Sequence, residues 1–213
     1  MGGCCDPRGC DRIFGRRFAR GRAARYRRRG LDRTARRMVD LLVEAGVDGA
    51  TVLEIGGGVG EIELELLERG AASATCLELS PAYDADAERL TADKGMTGRV
   101  RRRILDLAAE PDAVEPTDVV VLHRVVCCYP DYERLLSAAA GRTRRQLVFS
   151  HPPRNLVSRA IIATQNLVLR LSGSEFRTFT HPPEAMLAVL AEKGLAVRAT
   201  GGGPVWRVVA LSR

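Results

Sequence analysis

Residues 52–63 read VLEIGGGVGEIE: an apolar run, then four glycines within the five positions 56–60, then an acidic and apolar stretch. ATVLEI (50–55) has the length and β-branched content of a short buried strand, and EIELELLERG (61–70) has helical spacing. A glycine-rich turn between a strand and a helix marks the carboxyl edge of a parallel sheet, where open α/β sheets hold nucleotide-type ligands. The fold class hinges on whether the rest of the chain alternates in the same way.

It does. Upstream, LDRTARRMVDLLVEAGV (31–47) places apolar residues at helical intervals and stops at Gly46. Downstream, SATCLEL, RVRRRILDL, DVVVLHRVV (118–126) and RQLVFS read as strands, separated by the helical stretches PAYDADAERLTADKG and DYERLLSAAAGR. Near-continuous apolar strands alternating with helices predict a parallel sheet covered on both faces. After the fifth strand, residues 154–182 break the pattern; a helix over Leu156 to Leu171 is expected there, as an insertion over the carboxyl edge of the sheet. PEAMLAVLAEKG is a helix, and LAVRAT and VWRVVALSR are strands joined by the turn Gly201-Gly202-Gly203-Pro204. So short a connection requires an antiparallel pair. The expected fold is a Rossmann-like, seven-stranded, mostly parallel α/β sheet with an antiparallel C-terminal strand and helices on both faces, over residues 31–213.

The 213 residues suit one such domain and an N-terminal extension, residues 1–30. That extension carries most of the character behind the net charge of +7, in FGRRFARGRAARYRRRG. Phe14, Phe18, Tyr26 and Leu31 lie among its arginines, so it reads as a lid over a site more than as a solvated arm. With few aromatics for base stacking, nucleic acid is disfavoured as the main partner. An RNA-directed or RNA-binding protein whose basic arm docks on phosphates, with or without catalysis, is the alternative reading. No apolar run reaches the roughly 18 to 20 residues of a membrane span, and no signal-peptide pattern opens the chain, so a cytoplasmic location is expected. The six cysteines include the adjacent pairs Cys4-Cys5 and Cys127-Cys128, and fit reduced thiols better than a disulfide framework. Together with Cys10 they match no zinc spacing, and no metal site is expected.

Three acids identify the ligand of the glycine turn. Glu54 precedes it by two residues, Glu78 ends the second strand and Asp106 ends the third, so the carboxylates converge on one rim. An anionic rim repels a pyrophosphate: unit charges about 4 Å apart interact by roughly 4 kcal/mol at an effective dielectric near 20. It favours S-adenosylmethionine, which bears a sulfonium and an ammonium against one carboxylate, with ribose hydroxyls for Glu78 to accept. Gly56, Gly57, Gly58 and Gly60 let the backbone approach that ligand, and Leu79 and Leu107 flank the acids.

On VLEIGGGVG, the acid in CLELS, the acid in ILDL and the terminal strand pair, the chain resembles the class I S-adenosylmethionine-dependent methyltransferases. DVVVLHRVVCCYPDYERLL, LVFSHPPRN and the helical insertion are similar to bacterial proteins of the magnesium-protoporphyrin O-methyltransferase type. The resemblance implies cofactor contacts at Gly56, Gly58, Glu78 and Asp106, the last beside the adenine. It also implies a small-molecule substrate methylated at a carboxylate or hydroxyl.

On the acceptor side stand His123, which also adjoins the cofactor site, Arg124 and His151. A hydroxyl nucleophile must lose a proton, which a histidine can take. A carboxylate needs none, and an arginine would clamp it bidentately. His181, ahead of two prolines, reads as structural.

Overall fold

The computed structural model describes residues 13–213. Seven strands form one sheet: β1 (Thr51–Ile55), β2 (Ser73–Glu78), β3 (Val100–Ile104), β4 (Thr117–Leu122), β5 (Thr143–His151), β6 (Ala196–Gly202) and β7 (Arg207–Ser212), in the order β3-β2-β1-β4-β5-β7-β6. β1 to β5 run parallel, and β7 pairs antiparallel with both β5 and β6. The order reverses between β1 and β4, and the crevice at that switch point lies beside the glycine turn.

Seven helices surround the sheet among the described residues: α1 (Arg16–Arg29), α2 (Arg33–Glu44), α3 (Glu61–Glu68), α4 (Asp84–Asp93), α5 (Tyr132–Gly141), α6 (Leu156–Leu171) and α7 (Pro183–Glu192). Strand side chains alternate between faces, so each central strand feeds two cores. Val52, Val119 and Val121 join the core under α1, α2 and α3, whereas Leu53, Val120 and Leu122 join the one under α5 and α7. All six of these strand residues are buried, which is why the strands read as continuous apolar runs.

The N-terminal segment is part of this packing. Ala19, Ala23 and Tyr26 of α1 are buried in the first core. The Tyr26 hydroxyl donates to Glu65 at 2.9 Å, Arg27 binds Asp93 at 2.8 Å and Arg22 pairs with Glu61. Small residues four apart let α1 lie close against the domain while its arginines reach the acids of α3 and α4. The N-terminal cysteines Cys4, Cys5 and Cys10 lie outside the described residues. α6 spans the expected positions, yet none of its residues is buried.

Two expectations need correction. The fourth strand stops at Leu122, four residues short of the predicted end: Arg124 adopts φ +60°, and the chain goes on into a 3-10 turn at Val126–Cys128. The apolar run 125–127 belongs to that turn. β3 is likewise shorter than RVRRRILDL suggests, ending at Ile104, so Asp106 lies on the loop beyond the strand.

Candidate active site

The glycine turn, the ends of β2 and β4, the loop beyond β3 and the start of α1 enclose one cavity of about 210 Å³. The turn owes its shape to the absence of side chains. Gly56 has φ +65°, and a Cβ there would lie 2.5 Å from the Val125 side chain. Gly58 has φ +57°, and its Cβ would meet the Tyr83 ring at 3.4 Å. Gly60, at φ +80°, caps α3; a Cβ on it would run into the Glu63 carboxyl. Gly56, Gly57 and Gly58 line the cavity; Gly60 supports them from below.

The predicted acids divide by role. Glu78 Oε2 accepts the Gly58 N–H at 2.9 Å, and its Oε1 accepts from Leu79 N at 2.8 Å and Ser80 N at 3.1 Å. The turn thus gives the Gly58 N–H to a carboxylate, so a phosphate would find that donor taken and a negative charge beside it. Asp106 is held by Ala108 N at 3.0 Å and by the Tyr129 hydroxyl at 3.0 Å. Both acids line the cavity, as do Leu79 and Leu107.

Glu54 also touches the cavity but is 2 % exposed, and its Oε2 accepts the Glu63 N–H at 2.9 Å. Burial and the adjacent Glu63 carboxyl raise its pKa well above the usual range. Burial pushes Glu63 up to about 7, with Arg102 opposing. Arg102 supports this layer, donating to Gly58 O at 2.8 Å and to Cys76 Sγ at 3.1 Å. In the sequence it is one arginine of a basic strand, with no local sign that it is half-buried against the glycine turn.

The acceptor side gathers residues remote in sequence. His123 Nδ1 lies 3.1 Å from Ser150 Oγ, which also accepts the Arg124 N–H at 2.9 Å. The Arg124 guanidinium donates to Asp32 Oδ2 at 2.8 Å and stacks over Trp206 at 4.9 Å. Asp32 Oδ1 caps α2, accepting from Thr34 N and Ala35 N at 2.9 Å each. Burial opposes ionisation of Asp32, but the nearby His123 ring, the Ala35 N–H and Arg124 hold its carboxyl well below the usual range. His123 Nε2 is 3.9 Å from Asp32 Oδ2, and burial lowers its pKa against the pull of that carboxylate. His123 and Arg124 both line the cavity, and His123 Nε2 and Arg124 Nε are buried without a hydrogen-bond partner. Asp32 is visible in the sequence only as a helix cap.

His151 does not join them. It is not among the residues lining the cavity; it is buried, stacked on Phe149 at 5.6 Å, and its Nδ1 donates to the Pro152 carbonyl at 2.9 Å. Two residues beyond Phe149 on β5, the ring shares that residue's face of the sheet and packs there. His181 Nε2 likewise donates to the Val126 and Tyr129 carbonyls, fixing the loop beyond β4. Phe14, Phe18 and Arg22 close the remaining side, and Phe14 meets Phe176, from the segment after α6, edge to face at 5.2 Å. Among the described residues no group of three or more His, Cys, Asp or Glu side chains is arranged to hold a metal ion.

A family model described as a methyltransferase domain matches residues 23–199. No curated protein matches the chain by sequence. Among solved structures, the chain is similar to magnesium protoporphyrin IX methyltransferase from Synechocystis PCC 6803, crystallised with SAH, at 20% identity and a TM-score of 0.69, over 84% of this chain and 82% of that one. It is similar to an O-methyltransferase family protein from Burkholderia thailandensis at 23% identity and a TM-score of 0.67, over 85% of this chain and 56% of that one. An O-methyltransferase family 2 protein from Planctomyces limnophilus, in complex with apigenin, gives 17% identity and a TM-score of 0.67, over 92% and 61% of the two chains. These likenesses establish the fold.

Proposed function

The chain belongs to the methyltransferase-domain family, and from that premise we propose that it transfers the methyl group of S-adenosylmethionine to a small-molecule acceptor, at a carboxylate or hydroxyl oxygen. The observation that carries the reading is the division of the cavity. Carboxylates Glu78 and Asp106 come from the β2 and β3 side of the glycine turn, and the imidazole and guanidinium of His123 and Arg124 from the β4 side, each of these two with a buried nitrogen lacking a partner.

The residues present fit the cofactor. A Cβ at Gly58 would take space beside Tyr83, and Glu78, anchored by three backbone N–H groups, keeps lone pairs for ribose hydroxyls. Asp106, fixed by Tyr129, stands where the adenine belongs by resemblance. When bound, the cofactor supplies an electrophilic methyl on a sulfonium, and the anionic end of the cavity favours that positive charge over a pyrophosphate.

At the other end the chain's task is to orient an oxygen nucleophile and exclude water. His123 is neutral near pH 7, because burial lowers its pKa. In the tautomer that carries its proton on Nδ1, toward Ser150, Nε2 is a bare acceptor able to take the proton of a hydroxyl. For a carboxylate acceptor the Arg124 guanidinium is the counter-charge, with Asp32 and Trp206 fixing its plane. α1 and the residues before it act as the lid, Phe14 and Phe18 sealing the cavity while Arg22 and Arg27 are engaged by Glu61 and Asp93. Arginines committed to intramolecular pairs favour a lid over an RNA-docking arm.

The reading is tested by incubating the protein with isotopically labelled S-adenosylmethionine and cell-extract metabolites, and identifying the labelled product by mass spectrometry. A methyl ester or ether is expected, with labelling lost in Arg124→Ala for an ester or in His123→Ala for an ether. Label confined to RNA would sink the proposal.

A further inference from the structure

α6 is the anomaly of the molecule. Sixteen residues long, it buries none of them, and it is rich in large apolar side chains. Leu156, Val157, Ile161, Leu167, Val168 and Leu171 are between 56% and 82% exposed. At 100° per residue these six fall within an arc of about 140°, so they form one continuous stripe. The opposite side of the helix is tied down: Asn166 donates to Thr178 O at 2.8 Å and accepts the Thr178 N–H at 2.9 Å. The apolar stripe therefore faces away from the fold, and nothing among the described residues covers it.

Charge narrows the choice of what does. Arg159 and Arg170 lie along one border of the stripe, Arg154 precedes the helix, and no acidic residue occurs between Glu133 and Glu175. A second copy seated on this face would bring two such arginine borders together, with no carboxylate on the helix itself to neutralise them. Anionic headgroups would neutralise them directly. The helix is too short to cross a bilayer, which takes about 20 apolar residues, but its wide apolar face and cationic flank suit a helix lying in the plane of the interface. No helix among the described residues is long and apolar enough to span.

We propose that α6 docks the protein on an anionic lipid surface, its apolar stripe among the acyl chains and Arg159 and Arg170 against the headgroups. The segment following α6 carries this contact to the cavity. Phe179 N–H donates to the Cys127 carbonyl at 2.7 Å, and Phe176 lines the cavity wall. Docking would hold the cavity close to the bilayer.

The test is cosedimentation of the full chain with vesicles of phosphatidylglycerol and phosphatidylcholine, and with phosphatidylcholine alone. The proposal expects binding to the anionic vesicles that weakens with rising salt, and at least tenfold weaker binding for Ile161→Glu/Val168→Glu. Both positions are exposed, so thermal melting should be unchanged; if that variant fails to fold, Arg159→Gln/Arg170→Gln decides, and it should bind less with a shallower salt dependence. Wild type that ignores anionic vesicles overturns the proposal, as does equal binding by every folded variant, which would assign the effect to the basic N-terminal segment. A dimer in light scattering that Ile161→Glu/Val168→Glu dissolves, without vesicle binding by wild type, would show the face to be an interface between copies.

Discussion

Asp32 has two jobs, one per oxygen, and its two simplest replacements separate them. Oδ1 caps α2 through Thr34 N and Ala35 N, and Oδ2 holds the Arg124 guanidinium at 2.8 Å. Asp32→Asn keeps an oxygen for the cap but turns an amide donor toward Arg124, and Asp32→Ala loses both functions. A hydrogen bond to a charged group contributes roughly 1.5–3 kcal/mol. Because the Arg124 side chain is 33% exposed, the low end applies, and Asp32→Asn should cost about 1.5 kcal/mol. Removing a cap costs a further ~1 kcal/mol, so Asp32→Ala should reach about 2.5 kcal/mol. Urea unfolding followed by circular dichroism measures both. The sign with pH follows from the depressed carboxyl of Asp32. A lowered pKa contributes stability that is complete above the unfolded value, near 4, and is lost as pH falls toward the folded value. The gap between wild type and Asp32→Asn should be full at pH 7 and shrink below about pH 4. Equal stability of wild type and Asp32→Asn at pH 7, or a gap that widens in acid, would refute the assignment of Oδ2 to Arg124.

Three further outcomes follow from the same geometry. Glu63 is stabilising while protonated, since burial raises its pKa from 4.5 to about 7; that contribution is complete below 4.5 and lost as pH rises through 7. Glu63→Gln should therefore gain on wild type between pH 5 and pH 8, by up to about 3 kcal/mol, and a constant difference in urea unfolding would show that the carboxyl does not titrate there. Phe14→Ala/Phe18→Ala opens the lid side of the cavity and should speed cofactor dissociation several-fold in stopped-flow fluorescence with little change in melting temperature; an unchanged rate would mean that α1 seals nothing. Tyr26→Phe removes the bond to Glu65 and should cost about 1 kcal/mol in thermal unfolding, whereas no loss would indicate that the bond is exchanged evenly for water.

The sheet was legible because its signals are local: apolar runs of strand length, helical periodicity between them, and glycines where φ is positive. That Glu78 and Asp106 meet beside the glycine turn was legible from topology, although Asp106 lies beyond the strand end that the sequence suggests. The acceptor side was not. Asp32 meets Arg124 across 92 positions, and its sequence context announces only a cap. His151 looked equivalent to His123, each at a strand end, but strand alternation puts His151 on the face of Phe149, where its ring packs, whereas the left-handed Arg124 after His123 bends the chain along the cavity wall. Arg102 and α6 run against residue type in opposite directions: a charged side chain supports the glycine turn, and apolar residues with helical spacing lie on the outside.

Titration calorimetry with S-adenosylmethionine tests the central claim most directly, because it needs no knowledge of the acceptor. The wild-type chain should bind it; Glu78→Ala should weaken binding by about tenfold or more, Glu78→Gln by less, and Gly58→Val, with its side chain against Tyr83, should abolish it. NAD should bind far more weakly than S-adenosylmethionine to the wild type. Undiminished binding in Glu78→Ala and Gly58→Val, or NAD bound as tightly as S-adenosylmethionine, would contradict the account.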